Sequence, residues 1–152
     1  MLRLLCIDDY VAALRIRKTM LESRGCAVLT AENGVRALQI LEQQAVDAVI
    51  LDYRMEGMDG EAVAQAIKKK NPRLPIVLLT GFPREVPERL LAQVNAYVVK
   101  GEASARLLEA IERVTGKKLE HAGLAVPPEM ARDKIEPSRT VKSSSRGRAG
   151  SK

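Results

Sequence analysis

Three aspartates, a threonine and a lysine stand where apolar runs of this chain stop. Asp8 and Asp9 follow "LRLLCI" (2–7), Asp52 closes "DAVILD" (47–52), Thr80 closes "LPIVLLT" (74–80), and Lys100 follows "AYVV" (96–99). If the fold gathers them, three carboxylates share one crevice. At about 5 Å and an effective dielectric near 20, each pair repels by roughly 3 kcal/mol. Capping a helix or a turn does not require such repulsion, so a cation has to offset it. With all-oxygen donors and no His or Cys alongside, Mg2+ fits best. A metal beside a fixed ammonium and a hydroxyl makes a cradle for a phosphoryl group, whose transfer depends on positioning and on neutralising spreading charge. The carboxylate at the centre can itself be the nucleophile and form an acyl phosphate.

Such a gathering needs elements that all end at one edge. The runs named above, together with "CAVLTA" (26–31), are near-continuously apolar, the pattern of parallel strands covered on both faces. Helical spacing lies between them: Ala13, Ile16 and Met20; Ala37, Leu38 and Leu41; Val63, Ala66 and Ile67; and Leu107, Ile111 and Val114. Gly25 marks the end of the first helix and Asn71-Pro72 the end of the third. Five strands alternating with five helices predict an α/β fold, a doubly wound parallel sheet with helices on both faces. Right-handed crossovers then put every strand's carboxyl end at one edge, where open α/β sheets bind ligands.

Composition excludes several classes. The chain has 152 residues, 46% apolar and 29% charged, and no run approaches the roughly 20 apolar residues of a membrane span. Cys6 and Cys26 lack CxxC spacing and read as small buried hydrophobes of a reducing, cytoplasmic setting. The single histidine, His121, lies outside the packed region. Residues 1–116 are nearly neutral, with 16 basic and 15 acidic groups, whereas 137–152 carry five basic groups and no acid. Residues 117–152 therefore read as a flexible basic tail with too little apolar area to order itself.

Each site residue also has a plainer explanation. Asp8 or Asp9 can cap a helix, Asp52 can sit in a turn, and Thr80 can satisfy its own backbone. Lys100 can be a solvated charge and Tyr97 core packing. Their coincidence at four separate strand ends argues for a site.

The acid pair, "ILDYRMEGMDG" (50–60), "LLTG" (78–81) and "AYVVK" (96–100) resemble the receiver domain of bacterial two-component response regulators across residues 2–116. The resemblance implies the flavodoxin-like, CheY-like fold and a non-enzymatic role as a stand-alone receiver. Asp52 would accept a phosphoryl group from a histidine kinase or phosphotransfer protein. Asp9, Asp52 and the backbone carbonyl of Arg54 would ligate Mg2+, with Asp8 acting through water. Lys100 would pair with phosphoryl oxygens, Thr80 would move to bond one of them, and Tyr97 would swing inward as a switch. Residues 84–116 would present the surface a downstream protein reads. Two positions depart from the pattern: Glu56 stands where receivers usually carry a proline. Gly101 stands where a cis-proline usually follows the lysine, and a trans peptide is expected there because a non-proline cis bond costs about 3 kcal/mol.

The alternative reading is a receiver-fold module that binds nucleic acid through its basic tail. No aromatic residue interleaves those charges and no helix-turn-helix pattern is visible, so nucleic acid is an unfavoured partner. An aspartate-nucleophile phosphatase would want a second acid two residues after Asp52, where Arg54 stands. Neither GxGxxG nor GxxxxGK[ST] occurs.

Overall fold

The computed structural model describes residues 1–55 and 59–120. Glu56, His121 and the rest of the tail lie outside the described residues. Five parallel strands form one sheet: β1 (Arg3–Ile7), β2 (Ala27–Ala31), β3 (Ala48–Asp52), β4 (Ile76–Thr80) and β5 (Ala96–Val99), in the order β2-β1-β3-β4-β5. The helices are α1 (Val11–Glu22), α2 (Gly34–Gln43), α3 (Gly60–Lys70), α4 (Glu88–Leu91) and α5 (Ser104–Thr115). This is the expected α/β architecture, with one difference. The fourth helix is a single turn, preceded by a 3-10 turn at Pro83–Glu85, because Pro83 and Pro87 bracket the short pieces and interrupt regular helix between β4 and β5.

Strand burial follows sheet position. Central β3 and β4 are buried at every residue, while edge strands β2 and β5 are only partly covered. Alternate residues feed two cores. Leu4, Cys6, Ile50, Val77 and Leu79 pack with Leu14 and Leu21 of α1 and Leu107 and Ile111 of α5. Leu5, Ile7, Val49, Leu51, Ile76 and Leu78 pack with Ile40 of α2, Val63 and Ile67 of α3, and Leu90 of α4. Both cysteines are buried and free, and burial pushes the Cys6 thiol up to about 12, so it is an inert core group at neutral pH.

The expected buried face of α1 is corrected in part: Ile16 is 72% exposed, whereas Met20 is partly buried against the core as expected, and the fully buried residues of the helix are Leu14 and Leu21. Between them on that stripe stand Arg17 and Lys18, whose stems lie along the core while their charged heads reach Asp8 and Val28 O. Two cations disguised the stripe. At the other end the compact unit runs through Glu120. Residues 117–120, expected in the tail, pack: Leu119 is buried, its amide donates to Glu112 Oε2, and the Glu120 amide donates to Arg24 O.

Candidate functional site

Strand order makes β1 and β3 neighbours whose following connections leave in opposite directions, one toward β2 and the other toward β4. The crevice opens there, at the carboxyl ends. Asp8 follows β1 and Asp52 ends β3 in register with Leu79 of β4. One carboxylate oxygen each from Asp8, Asp9 and Asp52 lies within 4.8 Å of the others, Asp8 and Asp52 buried and Asp9 exposed. The sequence reading brought these three together, and the structure does so.

Burial is the main force on Asp52 and pushes its carboxyl above the usual range. The bond from Lys100 opposes that rise, and the nearby Asp8 charge adds to it. Lys100 Nζ lies 2.6 Å from Asp52 Oδ1, so the solvated-charge explanation for Lys100 is corrected. Its backbone is fixed as well, its amide donating to Thr80 O at 2.7 Å. Asp8 does not cap α1, whose N-cap is Tyr10 without a side-chain bond. Instead Asp8 Oδ1 accepts from the Tyr10 amide at 3.0 Å, and Oδ2 faces both Arg17 guanidinium nitrogens at 3.4 Å. Sequence reasoning passes over Arg17; a cation inside an otherwise apolar helix stripe is the signal that would have found it.

Thr80 is buried, and its hydroxyl oxygen accepts from the Phe82 amide at 3.0 Å, so its plainer role holds in this structure. Tyr97 is 51% exposed, which corrects the core-packing explanation. It points to the sheet face that α4 covers, and a single-turn helix shields little of an edge strand. Arg54 turns its side chain outward, paired with Glu85 and 5.2 Å over the Phe82 ring. Tyr53 Oη donates to Glu85 O at 3.2 Å, so the loops after β3 and β4 are tied together beside Asp52. Gly60 allows the close approach of α3: a Cβ there would sit 2.8 Å from Tyr53 O. The donor set of two buried carboxylates, one exposed carboxylate and neighbouring backbone carbonyls suits a hard divalent ion, with oxygen ligands only.

A doubly wound sheet carrying an acid cluster and a paired lysine at its switch point defines a phosphoacceptor class of fold. The family comparison places the chain within it: residues 4–112 match the response regulator receiver domain, and the chain belongs to that family. Among curated relatives it is 33% identical over 141 residues to the sensor histidine kinase GacS of Pseudomonas protegens, covering 88% of this chain and 15% of the relative. It is 34% identical over 112 residues to the transcriptional regulatory protein GlrR of Escherichia coli, covering 72% and 25%. The chain thus spans a quarter or less of these two relatives. The response regulator TrrA of Thermotoga maritima, solved in complex with Mg2+ and BeF, superposes with a TM-score of 0.71 at 33% identity, covering 75% of this chain and 99% of that one. The receiver domain of a Pseudomonas aeruginosa sensor histidine kinase, solved with magnesium in its active-site cleft, gives 0.70 at 26%, covering 76% and 98%. Among the described residues no helix is long and apolar enough to cross a membrane.

Proposed function

We propose that this receiver accepts a phosphoryl group on Asp52 from a histidine kinase or phosphotransfer protein and passes the signal on by a phosphorylation-dependent change of surface. The observation that carries this reading is the Lys100 ammonium held 2.6 Å from the Asp52 carboxylate, with Asp8 and Asp9 beside it.

In the step, an Asp52 carboxylate oxygen attacks phosphorus. The bond to the donor nitrogen, or to the acetate oxygen of acetyl phosphate, breaks, and the leaving group keeps the electron pair. Asp8, Asp9, Asp52 and the Arg54 carbonyl would hold Mg2+, which supplies charge neutralisation at the transferred group. Lys100 changes partner from Asp52 oxygen to a phosphoryl oxygen. Thr80 exchanges its bond with the Phe82 amide for one to the phosphoryl group, drawing the loop after β4 inward. Tyr97, exposed on β5, then has room to follow, which alters the surface formed by residues 84–116. A downstream protein reading that surface completes the proposal.

Incubation with acetyl phosphate and Mg2+, followed by intact-mass measurement, tests it. One added phosphoryl group in the wild type and none in Asp52→Asn is the expected result. Equal incorporation in both removes the assignment.

A further inference from the structure

We infer that Gly101 is a positioning residue for Lys100: the turn it makes possible sets where the ammonium lies. The inference rests on the phosphoacceptor reading for its activity measurements and on geometry alone for its spectroscopic one.

The Glu102 amide donates to Val99 O at 3.2 Å, closing a four-residue turn with Lys100 and Gly101 at its centre. Gly101 has φ +93°, and no non-glycine residue among those described has a positive φ. A turn with positive φ only at its third residue is of type II, the class that calls for glycine there. Lys100 occupies the second position of this turn, its amide bonded to Thr80 O and its side chain to Asp52. No cis peptide occurs among the described residues, so the Lys100–Gly101 bond is trans, as expected. A short trans turn, left-handed at glycine, therefore takes up the chain reversal after β5. It does so within one residue of the ammonium that neutralises Asp52.

The site suits a clean test, because a Cβ built on Gly101 meets nothing within 4 Å. Alanine there is opposed only by the backbone conformation, with no clash to confuse the result. Asparagine tolerates positive φ better than alanine does. If the turn sets Lys100, Gly101→Ala lets the backbone relax to negative φ and swings the ammonium off Asp52.

The experiment compares wild type, Gly101→Ala and Gly101→Asn in three measurements. By NMR without any phosphoryl donor, the Lys100 ammonium of the wild type exchanges slowly because of its bond to Asp52; that protection is lost in the alanine variant and largely kept with asparagine. Phosphorylation by acetyl phosphate falls about tenfold in Gly101→Ala, with substantial recovery in Gly101→Asn. Mg2+ binds more tightly to Gly101→Ala than to wild type, because a cation has left the carboxylate cluster. General loosening of the fold would weaken Mg2+ binding instead. A Gly101→Ala protein that melts lower but keeps the ammonium protection, phosphorylation rate and Mg2+ affinity of the wild type overturns the inference. A wild type that takes up no phosphoryl group while its ammonium protection responds to Gly101→Ala overturns the phosphoacceptor reading and leaves the positioning role supported.

Discussion

The two ends of the sheet treat polar groups in opposite ways. At the carboxyl end, Asp8, Asp52 and Thr80 are 1%, 3% and 2% exposed, and two of them are like-charged carboxylates a few ångströms apart. At the amino end, the polar side chains that tie the connections together stay at least partly in water and take complementary partners, Gln93 excepted, whose Oε1 is buried without one. Lys68 Nζ donates to Leu74 O and Asn95 Oδ1, Asn95 Oδ1 also accepts from the Ile76 amide, and Asp47 accepts from the Arg3 amide. Leu119 closes the adjoining core. The amino end is what folding alone selects. Burying like charges opposes folding, so the carboxyl end reports a requirement that stability does not supply.

The difference can be broken most forcefully by removing the acids. Asp8→Ala with Asp9→Ala is expected to weaken Mg2+ binding on the order of a hundredfold, about 2.7 kcal/mol, read by NMR titration. Unchanged affinity would place any metal elsewhere. Leu119→Ala probes the opposite end: it should cost roughly 2 kcal/mol in urea unfolding while phosphorylation proceeds at the wild-type rate. A loss of phosphorylation in folded Leu119→Ala protein would mean that the two ends are not separable.

Arg54 turns outward to Glu85 and stacks over the exposed Phe82 ring; if that pair lies across the path of a water attacking the proposed acyl phosphate, it shields the bond, since neither side chain offers a carboxylate or amide to orient the water. Arg54→Asn with Phe82→Glu should speed dephosphorylation about tenfold, equivalent to about 1.4 kcal/mol of barrier. Equal or slower loss would show that the pair does not shield. The smallest effect sharpens the contrast itself. Because the folded state raises the Asp52 pKa, the wild type loses stability as pH rises from the ordinary carboxylate value through the raised one. Asp52→Asn should therefore melt higher at pH 7, and the gain should vanish on acidification below about pH 4. Lys100, left without its partner, is exposed enough to remain hydrated.

The strands and the acid cluster were legible because they follow one-dimensional rules: continuous apolar runs mark covered parallel strands, and parallel topology sends their ends to one edge. What escaped depends on neighbours far along the chain. Arg17 and Lys18 conceal the α1 stripe because long stems bury while their heads stay polar. The exposure of Tyr97 follows from the brevity of α4, which the prolines around it set. The packing of Leu119 needed a site between α1 and α5 that no local pattern describes. The trans peptide before Gly101 was foreseeable from the residue type, whereas the turn it enters needed the backbone.

Reduction of the acyl phosphate with borohydride after treatment with acetyl phosphate and Mg2+, followed by peptide mapping, locates the acceptor directly. Reduction converts a phosphorylated aspartate to homoserine. Homoserine at position 52, and at no other aspartate, is the expected result. Homoserine at position 8 or 9, or phosphoryl uptake with no change at 52, would contradict a carboxyl edge built around Asp52.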